Sequence, residues 1–304
     1  MATMATGKGQ EVRSNRQKIK TDLLIRSLGR QGLKLVSFLG FAFLYLPIFI
    51  LVIYSFNTSR FNAVWRGFTL NWYRSLLQGV SDGTASISDV LIWDAVNNSL
   101  LVAAISTILA TIFGTMIALA LERFRFPGRA AVEALLFLPI IIPEITMGIS
   151  LLVFFSLGFQ LIENLTGIHL VLGLPTVIIG HVAFNISFVA ITVRARLADL
   201  NPAIEEAAMD LGANEWRTLS RITLPLIAPG IFSAALLAFT LSLDDFVVTF
   251  FTSGVGSTTL PLFVYGMIKF SVTPAINAIS TLMLLASMLL VVSSLVVGQR
   301  EPLG

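Results

Sequence analysis

Three carboxylates sit in strongly apolar runs with no basic residue beside them. Glu144 follows Leu138-Pro139-Ile140-Ile141-Ile142-Pro143, and Asp244 and Asp245 follow Thr240-Leu241-Ser242-Leu243. An acidic side chain at the centre of a bilayer costs about 2.5–3.5 kcal/mol on insertion scales. Three acids are tolerated where they face a wet cavity or a cation, so they are expected to line a pathway for a cationic substrate. Two ligand-free readings stand beside this one. Asp244 and Asp245 could cap a helix break, and Glu144 could be protonated and bonded to a carbonyl that a proline has freed. Asn97, Asn98, Asn185 and Ser187 add polar groups, read as hydrogen bonds within the core.

A second stretch, Asn201 to Pro225, is polar between two apolar runs and carries its own helix punctuation. Asn201 suits an N-cap, with Pro202 at the first helical position. Ile204, Ala207, Ala208 and Leu211 recur at i, i+3, i+4 and i+7, which predicts one apolar face. Glu205, Glu206 and Asp210 are expected on the other faces. Gly212 follows where a left-handed residue is wanted. Asn214 predicts a second short helix with Trp216 and Leu219, closed by Pro225. Two capped helices exceed what a plain connector needs, so the stretch is expected to lie in a groove on a partner.

The elements holding these residues are membrane spans. The chain has 304 residues, 56% hydrophobic and 12% charged, where soluble domains carry about 25% charged residues. Six runs reach the ~17–25 residues that a bilayer requires: about Leu35–Tyr54, Ser99–Leu121, Ala134–Phe159, Val177–Val193, Ile227–Phe250 and Ser280–Val297. Of the 20 Lys and Arg residues, sixteen fall on one side of the resulting topology. The excess of positive charge marks the cytoplasmic face, so both termini and the Asn201–Pro225 loop are expected inside. Segment 1–34 is basic, and from about Lys20 it suggests an interfacial helix on anionic lipid. Residues 35–297 form the transmembrane domain, and 298–304 a cytoplasmic tail.

Several chemistries are absent. There is no cysteine, which excludes disulfides and thiol chemistry. His169 and His181 are too far apart for a ligand pair at helical spacing, so both are read as structural or interfacial. No GxxxxGK loop occurs, so no cofactor is expected on this chain and ATP belongs to another subunit. The net charge of +3 is small, and no nucleic-acid partner is expected.

Glu206-Ala207-Ala208, three residues, Gly212, nine residues and Ile222-Thr223-Leu224-Pro225 together resemble the EAA signature of permease subunits in ATP-binding-cassette (ABC) importers. The resemblance implies an all-α, six-span bundle of the type I, MetI-like fold in a bacterial inner membrane. It also implies that the loop docks on an ABC ATPase dimer. Glu205, Glu206, Ala207, Ala208, Asp210, Gly212 and Pro225 are then its coupling residues. Leu241 to Phe246, Thr258-Thr259-Leu260-Pro261, Phe43 to Pro47 and Tyr54 to Asn57 are similar to bacterial spermidine/putrescine permeases. That likeness implies a second, related permease in a heterodimer, an extracytoplasmic polyamine-binding protein, and no catalytic residue here. Iron or opine importers are the alternative within the class. A proton-coupled secondary carrier could use the three acids but would not need the capped loop, and an assembly subunit would leave the acids unexplained.

Overall fold

The computed structural model describes residues 31–59, 64–78, 87–269 and 274–298. The expected interfacial helix from Lys20 and the end of the tail lie outside these residues. The described chain is helical: α1 (Gln31–Tyr54), α2 (Asn71–Gln78), α3 (Ile87–Arg123), α4 (Arg129–Ile141), α5 (Glu144–Thr166), α6 (Leu174–Ala198), α7 (Pro202–Asp210), α8 (Glu215–Thr218), α9 (Leu224–Asp244), α10 (Val247–Thr252), α11 (Leu260–Ile268) and α12 (Pro274–Gly298). Six helical stretches among the described residues are long and apolar enough to cross a membrane. The protein is an all-α, multi-pass membrane bundle.

The core lies where α3, α6 and α9 meet. Ala110 and Ala118 of α3, Val189 and Val193 of α6, and Ala234 and Ala238 of α9 are buried together. Small residues matter in lipid because close backbone approach, rather than hydrophobic exclusion, holds helices together. A Cβ on Gly114 would stand 2.7 Å from a Val189 methyl, so these two helices can be this close only with glycine there. On the other side α12 packs against α9. Ser233 Oγ donates to the Ser294 carbonyl at 2.8 Å, and Ser294 Oγ donates to the Ser233 carbonyl at 2.9 Å. Interhelical bonds of this kind contribute about 0.6 kcal/mol each in a membrane.

Five expected spans have different ends. The second begins earlier, because α3 starts at Ile87. Asp94, Asn97 and Asn98 look like loop residues, but the helix runs through them, with Asp94 and Asn97 exposed and Asn98 bonded to the carbonyls of Gly256 and Thr258. The fourth and sixth are also longer: α6 continues through Arg194 and Arg196 to Ala198, and α12 begins at Pro274, with Ile276 to Ile279 buried in the bundle. The third is not one continuous helix. Ile142 and Pro143 are both extended, which separates α4 from α5. Pro143 has no N–H for the ladder and pushes the residue before it out of helical geometry. The fifth does not run to Phe250 either. It stops at Asp244, Asp245 is extended, and α10 begins at Val247. At its other end the fifth span reaches back to Glu215. Leu219–Thr223 forms a π-type segment that joins α8 to α9 without a break. Pro225 therefore does not close a separate helix: it sits in the first turn of α9, directly after the π-type segment.

Candidate functional site

Both helix breaks open onto one place. A cavity of about 380 Å³ lies between the α4–α5 break and the α9–α10 break, and Glu144, Asp244 and Asp245 all line it. Pro139, Phe184 and Phe246 are among its apolar walls, and no basic residue lines it. The chain brings together acids separated by 100 positions because each break puts its first polar residue at the point where the backbone turns. Glu144 opens α5, placing its negative charge at the positive end of that helix dipole. It is exposed, with no side-chain partner among the described residues. Asp244 is also exposed, and accepts from Ser287 Oγ of α12 at 2.9 Å.

Asp245 is held differently. Its side chain is 7% exposed. It accepts from the backbone amides of Val248 at 3.3 Å and Thr249 at 2.8 Å, so it caps α10. Thr249 Oγ1 donates to the same carboxylate at 2.9 Å. Behind it lies His181 of α6, fully buried. His181 Nε2 is 3.1 Å from Asp245 Oδ2 and 2.9 Å from Thr249 Oγ1, and Nδ1 is 2.6 Å from Ser242 Oγ. Ser242 Oγ is in turn 3.0 Å from Ser106 Oγ of α3. The sequence places His181 only as a lone histidine in an apolar run. Its one hint is polar spacing on a neighbouring run, where Ser242, Asp245 and Thr249 recur at i, i+3 and i+7.

Of the other polar groups, Asn98 Nδ2 donates to the carbonyls of Gly256 and Thr258 and ties α3 to the loop before α11. Asn185 is fully buried, and neither its amide oxygen nor its nitrogen has a protein partner. His169 is exposed, 3.1 Å from Glu163.

The Asn201–Pro225 loop forms as its punctuation predicts. The Asn201 side chain accepts from the Ala203 amide at 3.0 Å, and that of Asn214 from the Arg217 amide at 2.9 Å. Gly212 has φ +88°, the left-handed turn between α7 and α8. The apolar face is only partly covered by the chain itself. Ala208 is buried, while Ile204, Ala207, Leu211 and Trp216 are exposed, Leu211 at 91% and Trp216 at 71%. Glu206 and Asp210 are exposed beside them. Glu205 does not share their outward face. It is buried, bonded to the Arg123 guanidinium and the Thr223 hydroxyl. Around it Arg194 pairs with Glu122 at 3.2 Å and Glu133 at 2.9 Å, joining the ends of α3, α4 and α6.

Residues 110–299 match the family described as "Binding-protein-dependent transport system inner membrane component". The spermidine/putrescine transport system permease protein PotC of Escherichia coli K12 is 38% identical over 265 residues, covering 87% of this chain and 92% of PotC. The putrescine transport system permease protein PotI of the same organism is 42% identical over 250 residues, 82% of this chain and 84% of PotI. Among solved structures, a chain of a bacterial ABC transporter that imports the acidic polysaccharide alginate superposes with a TM-score of 0.70 at 19% identity, over 95% of this chain and all of that one. That likeness concerns the fold, which is the one the resemblance implies.

Proposed function

The chain belongs to the binding-protein-dependent inner-membrane transport components, and from that premise we propose that it carries a polyamine into the cytoplasm. It is a permease subunit of an ABC importer and not an enzyme. The observation that supports the substrate class is the cavity: three acids at two helix breaks, with no basic residue on its wall. A polyamine is a flexible chain of ammonium groups separated by methylenes. Carboxylates with apolar and aromatic walls between them suit both parts of it. PotC and PotI are named for such substrates.

In this reading Glu144, Asp244 and Asp245 contact the ammonium groups in transit. Leu211 and Trp216, with Ala207, Glu206 and Asp210 around them, form the surface that docks on the ATPase dimer, where ATP is hydrolysed. Gly212 sets the angle between α7 and α8, and Pro225 starts the span that the loop moves. Ala208 and Glu205 face inward and join the loop to the bundle. The charge bias along the sequence supports a cytoplasmic position for this loop and both termini. From Gln31 to Ile50 no residue of α1 is buried, which supports a second permease or lipid against this helix. An extracytoplasmic binding protein would deliver substrate to the opposite face. No observation favours iron, opines or proton-coupled transport.

The deciding experiment is uptake in vesicles holding the whole importer with its binding protein. Labelled spermidine or putrescine should accumulate only with ATP, and unlabelled sulfate or iron should not compete. Uptake that continues without ATP, or that ignores both polyamines, would overturn the proposal.

A further inference from the structure

Asp245 meets the cavity on one side and the buried His181 ring on the other. We propose that His181 is a positioning residue that fixes the aim of the Asp245 carboxylate toward a cationic substrate. The inference rests on the reading of the cavity as the substrate pathway.

The hydrogen bonds determine what the ring does. Thr249 has one hydroxyl proton, and it goes to Asp245 Oδ2. Thr249 Oγ1 can then only accept from His181 Nε2, 2.9 Å away, so Nε2 carries a proton. The same N–H lies 3.1 Å from Asp245 Oδ2. On the far edge Nδ1 has two complete arrangements. With a neutral ring, Ser242 donates to Nδ1 and accepts from Ser106. With a charged ring, Nδ1 donates to Ser242, Ser242 to Ser106, and Ser106 to the Ala103 carbonyl at 3.3 Å. Neither leaves a buried hydroxyl or ring nitrogen unbonded, so the ring grips Asp245 with either charge.

The grip crosses helix boundaries. The ring stands on α6, Ser242 on α9, Thr249 on α10 and Ser106 on α3. The α10 amides hold the two carboxylate oxygens from one side, and the ring backs Oδ2 from α6, so the carboxylate is aimed by two helices at once. The α6 and α9 helices are also the two that hold the ends of the α7–α8 loop. A shift of α6 against α9 therefore reaches Asp245 through this ring.

The test uses the reconstituted importer and labelled spermidine, with KM and maximal rate measured per folded protein. In His181→Asn the side-chain amide reaches about as far as Nδ1, which keeps a partner for Ser242 and loses the one for Asp245. In His181→Gln the amide nitrogen reaches about as far as Nε2 and keeps the donor to Asp245. We expect H181N to raise the apparent KM about tenfold, as losing one charge-assisted hydrogen bond would. H181Q should return it to within about threefold of the parent value. The double variant H181N/D245N should be no worse than D245N. Parental KM in H181N, with D245N raised, overturns this inference alone. D245N with both KM and maximal rate at the parental values overturns the pathway reading and this inference with it. Where H181N fails to accumulate, Ser242→Ala removes the other anchor of the ring, and a parental KM there overturns the inference equally.

Discussion

Arg123 at the end of α3 donates to the Glu205 carboxylate in the first turns of α7, and the Thr223 hydroxyl donates to the same oxygen. One buried acid thus joins the loop to α3 on one side and to the root of α9 on the other. Its neighbour Glu206 points outward with no side-chain partner among the described residues. Adjacent glutamates of identical chemistry therefore do opposite work, one holding the loop to its own bundle and one facing outward.

That difference can be measured. Glu205→Ala leaves a partly buried guanidinium and a hydroxyl without their acceptor, which costs about 1–3 kcal/mol. It should lower the unfolding temperature of the purified complex. Glu206→Ala should leave that temperature unchanged and reduce substrate-stimulated ATP hydrolysis. Equal thermal effects from the two substitutions would contradict the assignment of Glu205 as internal.

Gly212→Ala isolates the turn. No atom lies within 4 Å of where the new Cβ would stand, so the only penalty is the left-handed backbone itself, about 1–2 kcal/mol. Membrane insertion should be normal and stimulated ATP hydrolysis lower. Full stimulation in this variant would show that the angle between α7 and α8 does not matter to the ATPase.

The pathway acids should act on transport rate. At an effective dielectric near 20, unit charges about 4 Å apart attract by about 4 kcal/mol. A third of that, about 1.4 kcal/mol, is tenfold in rate. Asp244→Asn, Asp245→Asn and Glu144→Gln should each slow polyamine uptake about tenfold per folded molecule, with basal ATP hydrolysis retained. An asparagine at 245 can still cap α10 through its carbonyl oxygen. Lower yield with unchanged normalised uptake would leave Asp245 a cap and nothing more.

Orientation is testable because the chain has no cysteine. A single cysteine at Val255, the fully exposed tip between α10 and α11, should react with an impermeant thiol reagent in intact cells. One at Asn214 should react only after the membrane is opened. Labelling at Asn214 alone would invert the topology and remove the docking surface from the ATPase side.

A fifth expectation concerns packing beside the end of α10. The Cβ of an alanine at Gly254 would stand 1.9 Å from the Leu172 carbonyl oxygen, which belongs to backbone and cannot swing away. Next to it, Thr176 Oγ1 donates to the Thr252 carbonyl at 2.6 Å and holds the two segments together. Gly254→Ala should therefore cost more than about 1 kcal/mol of stability. Thermal unfolding at the parental temperature would refute that close approach.

What the sequence reveals is what is local. The caps of α7 and α8 and the turn at Gly212 are legible because a side chain bonds a backbone amide two or three positions away. The six apolar runs are legible because lipid imposes length and hydropathy together. The inward turn of Glu205 is not legible, since Arg123 lies 82 positions away and Thr223 is 18. His181 is hidden for the same reason, with partners 61 and 68 positions distant. The prolines are visible in sequence, but their outcomes are not. Pro139 and Pro229 remain inside helices, whereas Pro143 ends one. The three acids stand out as charges in apolar runs, yet only the two breaks bring them to one cavity.

The exposed course of α1 separates two kinds of selection. A substitution between Gln31 and Ile50 disturbs no buried residue of its own chain there, so the fold of this subunit does not judge it. Only what lies against the helix can object. This segment is therefore free to drift with the lipid or the neighbour that it touches, while the α3–α6–α9 crossing, where one extra methyl on Gly114 would collide with Val189, answers to its own packing.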